Sequence, residues 1–600
     1  MKNVRLADLV ADFVATRLGV TTVFTVTGGG AMYLNDAFGN HPGISYVPMH
    51  HEQAAAMAAE GYFRERGELA VCQVTTGPGG TNAITGCAGA WVDSEAVLFI
   101  SGQVESISIA ECPSRQTGVQ ELGIISLVQG ITKASVLLRD ANMVLYELEK
   151  LAFISLNGRK GPVWLDIPLD VQNYRIEDTD CLPKFVAPSV ERRRVQLRKT
   201  RIKKVLKHLQ RSKRPLILIG NGCRSAASDI EVFINECRMP IVTGWNGKDL
   251  VASDSPLLLG SAGLFGNRAA NLAVQSSDVI LGIGYRFSVP QTGYDASIYA
   301  PNATIISVDV DANELQKMGG IIDIGINCTV EEFLAEISNI SEKLFLSAEL
   351  GWTSWCKYLK ERGFDERPDN RETINSFDVN GHLEKHLLTG DTVVTDMGTS
   401  FTCTHQDLSV VRGVKLFTSS GVAAMGFGLP GAIGCSHGKR GSSSRTLLIT
   451  GDGGLMFNIQ ELQSIVSYKL DIRILVYENG GYLTMKHMQE ARFQRLVGSE
   501  KSSRLECPDF VKVASAFGIA SIEVYKPAET ESAIKWLLNT DFGPKLLVVH
   551  IDPWQLLVPR VQTRSDENGR LIPPSLDHMY PPLSSADEAE LNDTYQKLLA

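Results

Sequence analysis

Apolar residues follow two rhythms along the first part of the chain. From Leu6 to Leu18 they recur every three or four positions, and a period of this kind predicts an amphipathic helix. Other apolar residues stand in short unbroken runs, which predict buried strands. These runs are Thr22–Val26, Ala70–Val74, Ala96–Ile100 and Val163–Ile167. Strands that alternate with helices indicate a parallel α/β domain over residues 1–175.

The rhythm is lost at about residues 176–200 and then returns. This interval contains Pro183, Pro188 and the basic runs Arg192–Arg194 and Lys199–Arg201, and its composition indicates a solvated linker. A second α/β domain is predicted over residues 195–340, followed by a polar helical stretch to about residue 375. Its strands are the apolar runs Pro215–Gly220, Met239–Thr243, Asp278–Gly284 and Thr304–Val310.

A third domain, over residues 376–555, repeats the pattern. Its strands are predicted at Thr392–Thr395, Arg445–Thr450, Ile472–Tyr477 and Lys545–Ile551. Residues 556–600 contain two Pro-Pro pairs and predict an irregular tail over the surface. The predicted fold class is therefore α/β, with three consecutive doubly wound parallel-sheet domains.

Composition and charge narrow the class of protein. The 600 residues are 44% hydrophobic, which is enough for several packed cores. The net charge is −9, and the two basic runs lie together in the linker. This distribution of charge argues against a nucleic-acid partner. Eleven cysteines without a C-x-x-C pair fit neither a zinc site nor a disulfide framework, and they suit a reducing, cytoplasmic location. Asp8 and Asp12 interrupt the N-terminal apolar residues, so no secretory signal is expected. No apolar run approaches the roughly 18 residues of a membrane span.

The most informative local motif is Gly451-Asp452-Gly453-Gly454, which follows an apolar strand and precedes a helical pattern. Glycines let backbone amides approach a phosphate, and a helix N-terminus favours anions. Alone, such a segment is also an ordinary strand-to-helix turn. A second strand, however, ends in Glu478-Asn479-Gly480-Gly481-Tyr482, which places Asn479 27 residues beyond Asp452 and both turns at one sheet edge. Carboxylate, amide and carbonyl oxygens beside phosphates predict a magnesium diphosphate site.

Asp452 and Asn479 resemble the metal-binding signature of thiamine-diphosphate-dependent enzymes. The order of further motifs along nearly the whole chain resembles the acetohydroxyacid (acetolactate) synthase family. This resemblance implies Mg2+ ligands at Asp452, Asn479 and the Gly481 carbonyl. It also implies that the three domains are a pyrimidine-binding, a central Rossmann-like and a diphosphate-binding domain. Glu478 replaces the family's asparagine, and we expect it to point away from the metal.

Glu52 precedes a run of small residues suited to a tightly packed helix, so we expect its carboxylate to be buried. A glutamate at a helix start can also be only a dipole partner. By resemblance to the family, Glu52 meets N1′ of the cofactor's aminopyrimidine and activates the cofactor. The segment Gly421–Gly428 resembles the family segment that supports the bent cofactor, which implies that Met425 wedges between its rings and that Ala423 and Met425 bind the pyrimidine. Taken alone, Met425 would be a core residue.

The same resemblance implies further site positions. Gly29 lies in the Gly28–Gly30 loop near the thiazolium, and Gln120 faces the reacting substrate, with Val119 in place of the family's phenylalanine. The remaining positions implied to contact the cofactor are Thr76, Gly398, Thr399, Ser400, Gly451, Gly453, Gly454 and Tyr482.

The implied reaction is the decarboxylation of a 2-oxo acid, by default pyruvate, and transfer of the two-carbon unit to a carbonyl acceptor. The alternatives are a simple 2-oxo acid decarboxylase that releases an aldehyde, and acetolactate synthase proper, although Met488 stands where those synthases have a tryptophan. The residues after Asn479 resemble synthase-like proteins of bacterial surface-polysaccharide and branched-sugar pathways. A scaffold protein is disfavoured by the complete set of Glu52, Asp452 and Asn479.

The resemblance also bears on flavin and on assembly. The central domain resembles the family's FAD-binding domain, but residues 284–293 lack its paired aspartates, so FAD is left open and is not predicted. Family members set the glutamate domain of one subunit against the aspartate domain of another. We therefore expect a homodimer or homotetramer with active sites at the subunit interface.

Overall fold

A computed structural model of the chain describes residues 2–109, 114–188, 192–317, 320–340, 349–364, 372–439, 444–565 and 571–599. Within these ranges lie three six-stranded parallel sheets, each flanked by helices. The predicted α/β class with three successive doubly wound sheets is therefore confirmed. None of the helices in these ranges is both long and apolar enough to cross a membrane.

The first sheet has the strand order β3-β2-β4-β5-β7-β6. Its strands are β2 Thr22–Thr25, β3 Ser45–Pro48, β4 Ala70–Val74, β5 Val97–Gln103, β6 Ala134–Leu137 and β7 Val163–Pro168. A separate antiparallel ribbon joins β1 Lys2–Arg5 to β8 Arg175–Asp178. The helices are α1 Leu6–Thr16, α2 Met32–Asn40, α3 Glu52–Arg66, α4 Pro78–Asp93, α5 Ile124–Val128, α6 Val144–Leu156 and α7 Leu169–Asn173. The unbroken apolar runs form central strands because both of their faces are covered.

The central sheet has the order β11-β10-β9-β12-β13-β14. Its strands are β9 Pro215–Ile219, β10 Ile241–Thr243, β11 Leu258–Ser261, β12 Val279–Ile283, β13 Thr304–Asp309 and β14 Ile324–Asn327. The helices are α8 Arg192–Arg211, α9 Ala227–Cys237, α10 Arg268–Ser276, α11 Val289–Thr292, α12 Val330–Ile340 and α13 Leu350–Arg362. The strand order reverses between β9 and β12, the place where doubly wound sheets usually open a crevice for a ligand.

The third sheet has the order β16-β15-β17-β18-β20-β19. Its strands are β15 Thr392–Thr395, β16 Lys415–Phe417, β17 Thr446–Gly451, β18 Ile472–Glu478, β19 Ala520–Val524 and β20 Lys545–His550. The helices are α14 Ser376–Glu384, α15 Thr399–Asp407, α16 Gly428–Gly438, α17 Asp452–Leu455, α18 Leu462–Ser467, α19 Leu483–Phe493, α20 Phe510–Ala516 and α21 Pro527–Leu537. β17 and β18 are neighbours, with Gly451 opposite Tyr477.

Two predictions made outside the sheets are wrong. The later part of the expected linker belongs to α8, because Ile202, Val205, Leu206 and Leu209 recur at helical spacing and are buried in the core of the central domain. The expected irregular tail has short strands and ends in a helix, α22 Ser585–Leu599. The tail strands are β21 Arg560–Val561, β22 Arg564–Ser565, β23 Leu571–Ile572 and β24 Met579–Tyr580.

The tail helix lies against α13 of the central domain. Tyr595 packs edge-on against Trp355 with ring centroids 5.1 Å apart, and Asp587 pairs with Arg362 at 2.6 Å. The aromatic contact covers apolar surface that α13 presents outward, which is why an otherwise polar segment forms a helix here.

The first and third domains meet through α3 and α16, whose backbones nearly touch. A Cβ built on Gly61 would lie 2.9 Å from the Cα and carbonyl carbon of Gly431, and one on Gly434 would lie 2.7 Å from the Ala58 carbonyl carbon. Only glycine fits at such a distance. Since α3 begins at Glu52 and α16 follows Gly421–Gly428, this contact sets the distance between two of the candidate site segments.

Candidate active site

Asp452 and Asn479 meet at the carboxyl edge of the third sheet, as the spacing of the two motifs predicts. Asp452 Oδ2 accepts hydrogen bonds from the backbone amides of Asn479 at 3.3 Å and Gly481 at 2.8 Å, and Oδ1 accepts one from Gly453 at 2.7 Å. Asp452 is only 1% exposed. The loop after β18 is therefore folded around the carboxylate that ends β17.

The side-chain oxygen of Asn479 receives no hydrogen bond from the described residues around the Asp452 turn. Its Oδ1 atom is buried and has no hydrogen-bond partner among the residues that the structure describes, while its backbone carbonyl accepts a bond of 2.8 Å from Lys486 Nζ. A buried acceptor without a donor is unfavourable unless a ligand completes it. The residues therefore fit a cation held by oxygen atoms, as Mg2+ requires. Within the described ranges no three His, Cys, Asp or Glu side chains gather to hold a metal, so amide and carbonyl oxygens would have to complete the shell.

Burial raises the pKa of Asp452 to about 6, although the amides of Gly453 and Gly481 act in the opposite direction. Glu478 lies next in the chain to Asn479 and adds to the rise through its charge. Its carboxylate pairs with His550 at the end of β20, and its expected direction away from a bound metal stays a prediction. A divalent cation at this site would favour the ionised form of Asp452.

The segment that precedes α16 is held against this turn from two sides. The Gly426 amide donates to Asp396 Oδ1 at 3.0 Å, and the Gly426 carbonyl accepts from Asn458 Nδ2 at 2.8 Å. A Cβ built on Gly453 would lie 2.6 Å from Tyr482 Cδ1 and 3.5 Å from Met425 Cε. Met425 and Tyr482 thus border the turn that contains Asp452, while Ala423 is exposed and adopts a left-handed conformation with φ of 57°.

The start of α15 contributes the next group of predicted positions. Gly398 precedes the helix with φ of 89°, and no atom lies within 4 Å of a Cβ built on it, so the space before it is open. Thr399 is buried, and its Oγ1 has no partner within the described ranges. Ser400 Oγ already donates to the carbonyl of Asp396 at 2.8 Å. Thr399 is therefore better suited than Ser400 to bind a phosphate with its side chain.

Glu52 is the first residue of α3 and is 9% exposed, so the expected burial is confirmed. His51 caps the helix, with Nδ1 accepting from the Gln53 amide at 3.1 Å. Asn82 Nδ2 on α4 donates to Glu52 Oε2 at 2.9 Å. The carboxylate is thus fixed by one neutral donor and by the helix that follows it.

The Gly28–Gly30 loop packs directly on Thr75 and Thr76. A Cβ built on Gly28 would lie 2.5 Å from Thr75 Cγ2, and one on Gly30 would lie 2.7 Å from Thr76 Cγ2, whereas nothing lies within 4 Å of one on Gly29. Thr76 Oγ1 donates to Gln103 Oε1 at 2.8 Å. The hydroxyl of Thr76 is therefore engaged inside the domain, while Gly29 faces open space.

Gln120 occupies an exposed loop with a left-handed conformation, φ of 59°. Glu121 holds this loop by accepting hydrogen bonds from the amides of Thr117 at 2.6 Å and Gly118 at 3.1 Å. Val119 beside it is 86% exposed. Both side chains point to solvent in the single chain.

The candidate residues form two groups in one chain. The first surrounds Glu52 and the Gly28–Gly30 loop; the second surrounds Asp452, Asn479 and Met425. Among the hydrogen bonds of the described residues, none joins Glu52 or Asn82 to the second group. Three residues that fix the site segments within these groups are not among the predicted site positions: Asn82, Asp396 and Asn458. Each is paired with a residue at least 30 positions away.

The turns after β9 and β12 of the central domain lie near a cavity that borders the first domain. At the reversal of strand order, the Gly222 amide donates to the Gly284 carbonyl and the Gly220 amide to the Ile283 carbonyl, both at 3.1 Å, so the turns that follow β9 and β12 are bonded to each other. The cavity of about 590 Å3 lies beside them against the first domain. Arg159 in its wall pairs with Glu314 at 2.6 Å and with Asp311 at 3.3 Å.

Comparison with known proteins identifies relatives along most of the chain. Residues 4–127 match the thiamine pyrophosphate enzyme N-terminal TPP binding domain, residues 202–337 the central domain, and residues 396–549 the C-terminal TPP binding domain. The chain is 30% identical to the acetolactate synthase isozyme 2 large subunit of Escherichia coli over 90% of this chain and 95% of that one. It is 31% identical to a probable acetolactate synthase large subunit of Methanocaldococcus jannaschii, over 90% of each chain. It is 30% identical to acetolactate synthase 1, chloroplastic, of Oryza sativa, over 92% of this chain and 86% of that one.

Proposed function

Because the chain belongs to the acetolactate synthase family of thiamine-diphosphate-dependent carboligases, we propose that it takes a two-carbon unit from pyruvate and adds it to a carbonyl acceptor. In this proposal the cofactor's magnesium is bound by Asp452, Asn479 and the Gly481 carbonyl, and Glu52 is the activating acid. A simple decarboxylase is the less favoured alternative.

One observation carries the assignment of the cofactor site: the buried, unpartnered Oδ1 of Asn479 lies in the loop that wraps the Asp452 carboxylate. A structural turn would gain nothing from leaving this acceptor without a donor. A cation would be bound by both side chains at once, and the diphosphate would occupy the space before Gly398 and Thr399. The open space before Gly398 and the unpartnered Thr399 hydroxyl support this arrangement.

When bound, thiamine diphosphate supplies the carbon nucleophile and the electron sink that decarboxylation needs. Glu52 holds and returns a proton at the aminopyrimidine nitrogen, and Asn82 keeps its carboxylate in one orientation. Met425 would support the cofactor, because the backbone of the next residue, Gly426, is hydrogen-bonded to Asp396 and Asn458. Gln120 and Gly29 face the substrate side, where Gln120 can donate a hydrogen bond to a carbonyl oxygen of the acceptor.

The proposal includes active sites shared between two copies of the chain. Support comes from apolar side chains that stay exposed around both groups of site residues: Val119 is 86% exposed, Phe457 49% and Val422 39%. A second copy would cover them and would bring its own Glu52 to the partner's Asp452. The proposed location is the cytoplasm, because the ten described cysteines are free thiols, as a reducing compartment allows.

The test of the reaction is turnover by the purified protein with thiamine diphosphate, Mg2+ and pyruvate. The acceptors offered are a second pyruvate, 2-oxobutyrate and a keto sugar, and released CO2 and ligated products are measured together. We expect CO2 and ligated product in equal amounts with at least one acceptor. Acetaldehyde in place of every ligated product would contradict the carboligase.

The test of shared sites uses two inactive variants, Glu52→Gln and Asp452→Asn. Each keeps one half of the site intact. If the halves come from different chains, hybrid dimers of the two variants contain one complete site, and activity returns on co-expression. Hybrid dimers that form but stay inactive would contradict the shared site.

A further inference from the structure

The backbone just before Glu52 is held by a carboxylate of the third domain. His50, two residues before Glu52, donates its backbone N–H to Glu461 Oε1 at 3.0 Å. Glu461 is 0% exposed, and its other oxygen accepts from Ser464 Oγ at 2.6 Å. The bond joins residues 411 positions apart. Both carboxyl oxygens of Glu461 are thus engaged in hydrogen bonds within a buried setting, so Glu461 is a firm anchor for this turn.

A second hydrogen bond from the third domain also holds the turn before Glu52. Tyr468 OH donates to the Pro48 carbonyl at 2.9 Å, at the end of β3. Glu461 and Tyr468 flank α18, so one short helix holds the chain on both sides of Met49. Glu461 lies nine residues after Asp452, on the segment that begins with the Asp452 turn. The segment that begins with the Asp452 turn is therefore bonded directly to the turn that precedes Glu52 in the same chain.

We propose that Glu461 is a positioning residue that sets the place of Glu52 through the His50 amide. The inference rests on the proposed function, and the shared site gives it a particular consequence. In a dimer, the Glu52 that Glu461 positions acts at the partner's Asp452 and not at the one in its own chain. A change at Glu461 should therefore lower activity only at the active site whose Glu52 comes from the same chain as that Glu461.

Hybrid dimers with two different affinity tags separate these roles. One chain carries Glu52→Gln and supplies the working Asp452; the other carries Asp452→Asn and supplies the working Glu52. Glu461→Ala is then added to either chain. We expect kcat to fall on the order of tenfold or more when it is in the chain that supplies Glu52, because small displacements of a catalytic group are costly. We expect a change within about twofold when it is in the other chain.

A second readout separates positioning from loss of cofactor. Binding of thiamine diphosphate with Mg2+, measured by calorimetry, should change less than about threefold in either hybrid, because Glu461 is not among the proposed ligands. Glu461→Gln, which keeps an oxygen acceptor for the His50 amide, should restore most of kcat. If the hybrids with Glu461→Ala do not assemble, Tyr468→Phe removes the other bond and should show the same dependence on the chain. The control, Gln463→Ala, changes an exposed residue of α18 and should have no effect in either chain.

The outcomes distinguish this inference from the proposed function. An inactive parent hybrid, without any change at position 461, would overturn the shared site itself. An active parent hybrid in which Glu461→Ala lowers kcat equally in both chains, or only in the chain that supplies Asp452, would overturn the positioning role of Glu461 and leave the shared site standing.

Discussion

The close approach of α3 and α16 predicts that Gly61→Ala is harmful at a site with no part in the chemistry. The added Cβ would lie 2.9 Å from the Cα and carbonyl carbon of Gly431, where ordinary contacts begin at 3.4 Å, and closer still to the Gly431 oxygen. The obstacle is backbone and cannot rotate away. The two helices must therefore separate by about half an ångström or more.

The size of the effect follows from two opposing terms. Forcing a methyl group into a packed core costs up to about 3 kcal/mol, while alanine is favoured over glycine within a helix by about 1 kcal/mol. The net loss is about 2 kcal/mol, which for a domain of this size lowers the thermal midpoint by roughly 4 to 8 °C. Because α3 begins with Glu52, kcat should fall as well, on the order of tenfold.

The matched control is Gly381→Ala. Gly381 lies within α14, is exposed, and has no atom within 4 Å of a Cβ built on it. This substitution should leave kcat unchanged and keep or raise the thermal midpoint, since only helix propensity changes. Both variants are compared by thermal unfolding and by CO2 release. Gly61→Ala with the thermal midpoint and kcat of the parent would refute the argument that backbone contact fixes α3.

Three further predictions concern the site and the first domain. Glu52→Gln should bind thiamine diphosphate with an affinity within about threefold of the parent and lose on the order of 100-fold or more in turnover, since an amide cannot exchange the proton. Calorimetry measures the affinity and CO2 release measures the turnover. Full turnover would refute the role of Glu52. Asn479→Ala should raise the Mg2+ concentration needed for half-maximal cofactor binding by on the order of tenfold, and an unchanged Mg2+ titration would exclude Asn479 as a ligand. Burial raises the pKa of Asp166 to about 7, so the folded chain keeps a proton that the unfolded chain releases near pH 4, and the stability gained from this group falls as pH rises from about 4 to about 7. Asp166→Asn should therefore flatten the decline of the thermal midpoint across that window, and an unchanged slope would contradict the assignment.

Local patterns account for what could be predicted from sequence. The strand that ends at Gly451 and the strand that precedes Asn479 are unbroken apolar runs followed by glycine-rich turns, and adjacent parallel strands place such turns at one edge. The burial of Glu52 follows in the same way from the small residues after it. These predictions needed only neighbours in the chain and the rule that parallel strands end together.

The residues that hold the site together could not be predicted in this way. The hydrogen-bond partners of Asn82, Asp396 and Asn458 lie at least 30 positions away in the chain, so the roles of these residues come from contacts that only the tertiary packing supplies. The roles assigned to Gln120, Thr76 and the cofactor contacts rest on family resemblance and stay predictions.

The later part of the linker, from residue 192, and the tail were predicted wrongly for a related reason. In α8, ten lysines and arginines conceal the apolar positions that face the core. In the tail, the Pro-Pro pairs conceal a helix that begins at Ser585, three residues after the second pair. In both places charge or proline dominates the composition while a few apolar contacts decide the structure.

The contact between α13 and α22 also affects the chain while it is being synthesised. Tyr595, which covers Trp355, lies 240 residues after it in the chain. At about 5 to 20 residues per second, the ribosome needs roughly 12 to 48 seconds to synthesise the intervening chain. During that interval the aromatic surface around Trp355 is exposed. We therefore expect the nascent chain to be more prone to aggregate before its tail has been synthesised than afterwards.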